Sequence, residues 1–243
     1  MERSVYAVEA AVEEGHWWFR GRRRLLRRAL TRLSVERDAR VIDVGSGTGA
    51  NLRVLRELGF RRVCGVDSNP DAIRWCEAKG LGKVVRGDVC ALPLRNEVAD
   101  LVIAADILEH LDDDRQGLDE IRRVLRPGGA ALITVPAFSA LWGLQDVVSH
   151  HKRRYQAPEL AAKLDSVGLT LCELHYFNYL LFLPIWSARQ VIRVLRVRLQ
   201  SENQVNSPLL NRVLAGIFAF DVATSPRLKP PFGVSLFASV VRR

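Results

Sequence analysis

The stretch "RVIDVGSGTG", Arg40–Gly49, decides the fold of this chain. Its first half is a short, β-branched apolar run, which is typical of a strand buried on both faces. Its second half places Gly45, Gly47 and Gly49 where the backbone has to turn sharply and come close to a ligand. The GxGxG spacing departs from the GxGxxG fingerprint of dinucleotide-binding proteins and disfavours an NAD-dependent oxidoreductase.

Strands and helices alternate after this stretch. Further strands are predicted at "RRVCGVD", "KVVRGDV", "ADLVIAAD", "AALITVPA", "TLCELHYFN" and "VSLFASVV". Helices are predicted at "ANLRVLRELG", "PDAIRWCEAKG", "DRQGLDEIRRVL" and 158–168, and a polar, aromatic and basic loop at 138–157. The alternation predicts an α/β fold with a mostly parallel, helix-covered sheet. We expect one domain, 1–243, with a core at 40–178 and 232–243.

Acidic residues follow the predicted strands. Asp67 ends the second strand, 20 residues after Gly47, where a carboxylate can accept both hydroxyls of a ribose. Asp88 ends the third strand, and Ala105 and Asp106 end the fourth. Open α/β sheets bind ligands outside the carboxyl ends of their strands, so these segments are predicted to share one crevice. The plainer alternative is a tight turn followed by a helix-capping aspartate.

The motifs "VIDVGSGTG", "VCGVDSNP", "VRGDVCALPL", "ADLVIAADILEHLDD" and "LRPGGAALITVP" together resemble those of the class I S-adenosylmethionine-dependent methyltransferases. The resemblance covers about 40–178, and 233–243 suits that family's antiparallel seventh strand. It implies a Rossmann-like fold, an enzyme, S-adenosyl-L-methionine as cofactor and S-adenosyl-L-homocysteine as product. It leaves the acceptor open, because the family methylates small molecules, lipids, proteins and nucleic acids.

The resemblance also implies roles for individual residues. The loop around the methionine part of the cofactor would contain Asp43, Gly45, Gly47 and Gly49. The ribose and adenine would lie against Asp67, Ser68, Asp88 and Val89, and the floor near the sulfonium would be Ala105 and Asp106.

A narrower resemblance concerns the acceptor. "E..HWWF.GRR", "HHKRRY" and an apolar, arginine-bearing insertion are similar to a group of bacterial methyltransferases that accompany glycan and lipid-linked sugar pathways. This resemblance favours a small or lipid-linked acceptor and O-methylation of a sugar or lipid intermediate. The alternatives are a nucleic-acid or protein methyltransferase and a non-catalytic scaffold that binds the cofactor.

Methyl transfer to a hydroxyl needs a base, whereas transfer to a carboxylate or phosphate does not. Candidate bases are His110, after the fourth strand, and His150 and His151, on the loop after the fifth, where His151 is the preferred one. In that loop Arg154 and Tyr155 are predicted to contact the acceptor, since an arginine can bind an anionic group bidentately. The alternatives are a helix-capping His110 and an ordinary solvated basic loop.

The stretch "GHWWFRGRRR", Gly15–Arg24, lies ahead of the core. Residues 1–39 are predicted to form a helical lid in which Trp18 lies over the sulfonium and Arg22 pairs with the cofactor's carboxylate. The alternatives are a packed amphipathic helix with a solvated basic face and a nucleic-acid arm.

Residues 179–231 form a second segment outside the core pattern. "YLLFLPIWSARQVIRVLRVRLQ" is mostly apolar, and its arginines at 189, 193 and 196 would share one helix face. Arg189 comes too early for a membrane span. The segment predicts a helical hairpin that packs on the core or a homodimer contact, or else one that lies on an anionic membrane surface.

Composition adds few constraints. The formal net charge is +9, but 31 of the 36 basic residues are arginine, a bias that genome composition can produce, so nucleic acid is a disfavoured partner. Cys64, Cys76, Cys90 and Cys172 have no metal or disulfide spacing, and no metal site is predicted. No signal peptide is recognised in 1–14. We expect a cytoplasmic monomer or homodimer, with a peripheral position at the inner face of the membrane as the alternative.

Overall fold

The computed structural model describes residue 10 and residues 12–195 and 207–243. The strands are β1 Arg40–Val44, β2 Arg62–Asp67, β3 Lys83–Arg86, β4 Ala99–Ala105, β5 Leu125–Pro136, β6 Leu169–Phe177 and β7 Ser235–Arg242. The helices are α1 Trp17–Arg32, α2 Ala50–Glu57, α3 Pro70–Ala78, α4 Asp114–Val124, α5 Leu144–Val148, α6 Ala157–Ser166, α7 Phe182–Leu195 and α8 Pro208–Leu228. Short 3₁₀ helices cover Leu108–His110 and Ser139–Leu141.

The strands form one seven-stranded sheet in the order β3-β2-β1-β4-β5-β7-β6. The pairs from β3 to β5 are parallel, whereas β7 lies antiparallel between β5 and β6. This topology confirms the predicted fold class, including the antiparallel last strand. The parallel pairs also bring the carboxyl ends of β1, β2 and β4 to one edge of the sheet, where the predicted ligand residues lie.

Two segments differ from the sequence-based expectation. The strand β5 begins at Leu125 and runs through "RPGG", which was expected to end a helix, because Leu125 pairs with Ala99 before an irregularity in the β4–β5 register. The segment 138–157 contains the short helix α5 as well as loop. In it, Asp146 caps the start of α5 by accepting the Gly143 N–H at 2.7 Å.

The helix α1 packs against α8 on one face of the sheet. The ring of Phe218 is fully buried at the centre of this contact. It lies 5.5 Å from Trp18, 5.8 Å from Trp17 and 6.0 Å from Phe177, centroid to centroid. A Cβ on Gly21 would lie only 2.1 Å from the Phe218 ring, so glycine is what allows the two helices to approach.

The described part of the insertion contains the helices α7 and α8, and its start is held by a buried carboxylate. Asp221 of α8 accepts the backbone N–H groups of Asn178, Tyr179 and Leu180. Arg189 donates to the carbonyl of Leu141, and its side chain is only 9% exposed, so this arginine does not lie on a solvated face. The helix face that it was predicted to share with Arg193 and Arg196 stays a prediction. The side chain of Arg193 and all of Arg196 lie outside the described residues. In the described part of the chain, no helix has the length and apolarity to cross a bilayer.

We expect Gly21→Ala to destabilise the fold by about 1–3 kcal/mol, because the added methyl group overpacks the buried Phe218 ring. Gly216→Ala in α8 is the matched control. Its Cβ would meet nothing within 4 Å, and alanine favours a helix by up to about 1 kcal/mol. Urea unfolding of both variants measures the difference, and equal effects of the two substitutions would contradict the packing account.

Candidate functional site

The glycine loop after β1 has a backbone conformation that allows a ligand to come close. Gly45, Gly47 and Gly49 all have positive φ values, of 71°, 52° and 87°. A Cβ would collide with Ile107 at Gly45 and with Leu81 at Gly49, whereas at Gly47 it would meet nothing within 4 Å. The first and last glycines are therefore required by packing, and the backbone at Gly47 borders open space.

Asp43 lies under this loop and is completely buried. One of its oxygens accepts the Asn51 side-chain N–H at 3.1 Å, and its Oδ2 has no hydrogen-bond partner among the described residues. Burial raises the pKa of Asp43 from 3.8 to about 7. An uncompensated acid at this place suits a cationic or hydrogen-bond-donating ligand.

Asp67 ends β2 and faces the same loop. Its carboxylate accepts the N–H of Gly47 at 2.8 Å and that of Asn69 at 2.9 Å. Burial raises its pKa, and these two hydrogen bonds offset part of that shift. Each carboxylate oxygen can accept more than one hydrogen bond, so capacity remains for the hydroxyls of a ribose. The neighbouring Ser68 is exposed.

The residues predicted to flank the adenine differ in burial. Asp88 is exposed and accepts the Cys90 N–H at 2.8 Å, whereas Val89 is buried in the core beneath the crevice. Their positions at the carboxyl end of β3 match the expectation, and their contact with an adenine stays a prediction.

Asp106 follows β4 and has a left-handed backbone, with φ 52°, which is uncommon for a non-glycine residue and costs conformational energy. Its N–H donates to the carbonyl of Thr134, and its Oδ1 accepts the Thr134 hydroxyl at 3.1 Å. Its Oδ2 pairs with Arg22 of α1 at 2.7 Å. The adjacent Ala105 is half-buried. The N-terminal helix thus reaches the floor of the crevice through Arg22, whose predicted pairing with the cofactor's carboxylate stays a prediction.

Two further contacts fix the N-terminal segment. Glu13, which the sequence analysis did not single out, is buried over the glycine loop, where it accepts the Thr48 hydroxyl and pairs with Lys79 at 2.5 Å. Trp18 packs on Trp17 and Phe218, which places its ring in the α1–α8 contact. Its predicted role over the sulfonium stays a prediction.

A cluster of titratable groups lies just beyond Asp106. Glu109, His110 and His151 each bring one nitrogen or oxygen to within 4.8 Å of the others. The Nδ1 of His151 is 2.8 Å from Asp146, which fixes the ring. Burial, together with the neighbouring His151 ring, lowers the pKa of His110 to about 4, so the His110 ring is neutral. The structure therefore brings both predicted histidines together at one end of the crevice.

Glu109 is the member of this cluster that sequence reasoning missed. It is completely buried, and neither of its carboxyl oxygens has a hydrogen-bond partner among the described residues. Burial, and the nearby Asp106, raise its pKa well above the ordinary value. It stands in "LEHL" between Leu108 and His110, and no periodicity on a 3₁₀ turn reveals the direction of its side chain.

The predicted acceptor contacts of Arg154 and Tyr155 do not fit the structure. The Arg154 guanidinium is buried and binds Asp146 bidentately at 2.8 and 2.9 Å and the carbonyl of Ala137 at 2.9 Å. The Tyr155 ring is completely buried, and its hydroxyl donates to Asp114 at 2.8 Å. Both side chains hold the loop in place, because buried carboxylates on other elements bind them.

The backbone and side-chain groups that line the crevice fit S-adenosylmethionine. The open backbone at Gly47 can take the close approach of a ligand, and Asp67 can accept ribose hydroxyls. The unpartnered oxygen of Asp43 lies next to the loop that would hold the cationic methionine part. These features occupy consecutive strand ends, which is how one extended ligand would lie along the sheet edge.

We expect the stability of Asp43→Asn relative to the native chain to depend on pH. Below about pH 4 the Asp43 carboxyl is protonated in both the folded and the unfolded chain. As the pH rises from about 4 to 7, only the unfolded chain loses this proton, so burial of Asp43 lowers the free energy of unfolding. The full cost is about 4 kcal/mol above pH 7.

Denaturant unfolding at pH 4 and pH 8 measures this effect. Asp43→Asn should be more stable than the native chain at pH 8 and comparable at pH 4. Asp38→Asn, at an exposed ion pair with Arg61, is the control and should change stability little at either pH. A difference between Asp43→Asn and the native chain that does not vary with pH would refute the assignment.

Residues 42–133 match the family model of the methyltransferase domain. The "Probable S-adenosylmethionine-dependent methyltransferase" of Mycolicibacterium smegmatis is 30% identical over 158 residues, 64% of this chain and 60% of the relative. The chloroplastic 2-methyl-6-phytyl-1,4-hydroquinone methyltransferase of Arabidopsis thaliana is 32% identical over 109 residues, 43% of this chain and 32% of the relative. The chain thus spans less than two thirds of the length of either relative.

Among solved structures, a chain from a complex of the Haloferax volcanii methyltransferase activator Trm112 superposes with a TM-score of 0.65. The two chains are 22% identical, and the superposition covers 98% of this chain and 94% of the Haloferax volcanii complex chain. This similarity concerns the fold alone. With the glycine loop, the strand-end aspartates and the antiparallel last strand in place, the matched domain belongs to the class I S-adenosylmethionine-dependent methyltransferase family.

Proposed function

We propose that this protein is a methyltransferase that transfers the methyl group of S-adenosylmethionine to a hydroxyl of a small or lipid-linked acceptor. One observation carries the proposal: the crevice that suits the cofactor ends at the cluster of Glu109, His110 and His151. His110 is only four residues beyond Asp106, so cofactor floor and cluster are parts of one turn. Groups that can assist a hydroxyl thus lie next to the predicted position of the methyl.

The cofactor supplies an electrophilic methyl group on a positively charged sulfur. The transfer would form a carbon–oxygen bond while the carbon–sulfur bond breaks with its electron pair going to sulfur, and the proton of the acceptor hydroxyl would pass to solvent. Asp67 and the glycine loop hold the ribose and methionine parts, which aligns the methyl. Such alignment is worth roughly 7–11 kcal/mol of the barrier. The Arg22–Asp106 pair closes the crevice from the side of α1.

The acceptor side is supported by Asp146. Besides binding Arg154, this carboxylate orients the His151 ring, and its hydrogen bonds and charge partners more than offset its burial and lower its pKa. The orientation of His151 is therefore set before any acceptor binds. We assign to the cluster the task of easing the loss of the acceptor's proton.

The position of α7 supports a lipid-linked acceptor. Arg189 of this helix binds the carbonyl of Leu141 and comes within 3.9 Å of Asp146, the residue that orients His151. The α7–α8 region exposes large apolar side chains at Leu180, Leu183, Trp186, Val191, Leu209, Leu210, Val213, Phe220, Leu228 and Phe232. An apolar surface is thus anchored beside the acceptor side of the crevice.

Positive charge accompanies this apolar surface. A groove of about 480 Å³ between α1 and α8 is lined by Arg20, Arg23, Arg24, Arg27 and Arg212. Apolar side chains flanked by arginines suit a helix that lies on an anionic membrane. We therefore propose a peripheral position at such a membrane. The phytyl-bearing substrate in the name of the Arabidopsis thaliana relative is consistent with an apolar acceptor.

We expect the purified chain to bind S-adenosylmethionine in isothermal titration and Asp67→Ala to bind it at least about tenfold more weakly, since hydrogen bonds to a charged group are lost. His151→Ala is the matched control on the acceptor side and should keep native affinity. Transfer of labelled methyl into the organic-solvent fraction of a lipid extract tests the acceptor class, and there His151→Ala should be slower.

Failure of the native chain to bind S-adenosylmethionine would overturn the methyltransferase proposal. Equal loss of affinity in Asp67→Ala and His151→Ala would show that His151 belongs to the cofactor side. Label found only in water-soluble small molecules, protein or nucleic acid would reject the lipid-linked acceptor and leave methyl transfer standing.

We expect the protein to co-sediment with vesicles that contain phosphatidylglycerol and much less with pure phosphatidylcholine vesicles. The triple variant Leu209→Ser, Val213→Ser, Phe220→Ser removes one exposed stripe of α8 and should bind at least about tenfold more weakly. Leu171→Ser, at an exposed apolar residue of β6, is the control. No binding of the native chain to anionic vesicles would exclude the membrane surface.

A further inference from the structure

The cluster at the end of the crevice has the composition of a metal site. Glu109, His110 and His151 offer one carboxylate oxygen and two imidazole nitrogens within 4.8 Å of one another. Their burial is unequal: Glu109 is fully buried, and both histidines are partly exposed. The cluster is therefore closed at Glu109 and accessible at the two histidines.

The state of Glu109 is an independent indication. A completely buried carboxyl with no hydrogen-bond partner for either oxygen is costly, unless it is paired with a cation or a proton. The described cations nearby already have partners, because Arg22 binds Asp106 and Arg154 binds Asp146. A cation held between the carboxyl and the two imidazoles would satisfy Glu109.

We propose that Glu109, His110 and His151 bind one divalent transition-metal ion, with one ligand atom from each residue. The ion's role in catalysis rests on the proposed methyl transfer, whereas its binding does not. The ligand set of two imidazoles and one carboxylate favours Mn²⁺, Fe²⁺, Co²⁺ or Zn²⁺ over Mg²⁺ and Ca²⁺, which prefer all-oxygen sites.

The second contacts of both histidines support this assignment. The Nδ1 of His151 is held by Asp146 at 2.8 Å, which leaves Nε2 for the ion. The His110 ring has a hydrogen bond to the backbone of Ser149, which likewise leaves one nitrogen. Metal-binding histidines almost always have such a partner on the other nitrogen, because it fixes the tautomer and the ring orientation.

The geometry needs only a small adjustment. Metal–ligand bonds of about 2.1 Å place neighbouring ligand atoms roughly 3–4 Å apart. The two imidazole rings are already 4.7 Å apart, centroid to centroid, and nearly perpendicular. Modest side-chain rotations therefore bring all three atoms to one ion.

Three protein ligands leave a coordination position open on the crevice side. A hydroxyl oxygen of the acceptor in that position would be acidified by the ion, and its proton would pass to solvent as the carbon–oxygen bond forms. Asp146 acts in this scheme as a positioning residue for His151.

Titration of the chelator-treated full chain with Co²⁺ tests the site, because a bound ion gives a visible absorption spectrum. We expect one saturable site in the native chain, and at least tenfold weaker binding in Glu109→Gln and His151→Ala. His150→Ala changes the exposed neighbouring histidine and should leave the titration unchanged. Zn²⁺ added afterwards should abolish the spectrum by competition.

S-adenosylmethionine affinity is measured on the same preparations and reports that each variant is folded. The proposal is overturned if the native chain shows no saturable Co²⁺ spectrum below millimolar concentration. It is equally overturned if Glu109→Gln and His151→Ala bind Co²⁺ as the native chain does. Intact S-adenosylmethionine binding alongside either result would reject the metal site and leave the methyltransferase proposal in place.

Discussion

The buried carboxylate of Asp146 is the contact on which the acceptor side of the site depends. It caps α5 through the Gly143 N–H, orients His151 and accepts hydrogen bonds from Nε and Nη2 of Arg154. Arg154 in turn binds the carbonyl of Ala137, directly after β5. Removing one partner of a buried pair leaves an uncompensated charge, which typically costs 3–5 kcal/mol. The long segment after β5 is thereby fixed to the sheet, and His151 with it.

Contacts from the N-terminal segment stabilise the cofactor side of the crevice. Glu13 joins the glycine loop to the residue that follows α3 through Thr48 and Lys79, and Arg22 joins α1 to Asp106. The same helix is held against α8 by the Phe218 ring at Gly21. Because α8 also binds the chain after β6 through Asp221, the two segments outside the core support each other across one face of the sheet.

Local patterns predicted the sheet and the positions of the glycine loop and the strand-end aspartates, whereas non-local contacts decided the acceptor side. The conformation of the strand "RVIDVG" and of the glycines after it can be predicted from the local sequence. An apolar run and the positive φ values of glycine determine the backbone within a few residues. Arg154 and Tyr155 looked like acceptor contacts in "HHKRRY", yet their partners are Asp146 and Asp114. Nothing in the spacing says which buried carboxylate a basic or phenolic side chain will meet. The contact of Arg189 with the carbonyl of Leu141 is also non-local, and no sequence spacing predicts it.

The charge distribution of the crevice suits the binding of two positively charged ligands, the sulfonium cofactor and the proposed metal ion. Asp43, Asp67, Asp106 and Glu109 all face this edge of the sheet, although the chain as a whole carries a net charge of +9. Arg22 neutralises part of this charge at Asp106, and the pKa values of Asp43 and Glu109 are raised because burial is not compensated by partners. A site with such a deficit of positive charge stabilises the ligand that supplies it. The sulfonium of the cofactor would do so near Asp43 and Asp106, and a metal ion at Glu109 would do so one turn further along the same edge.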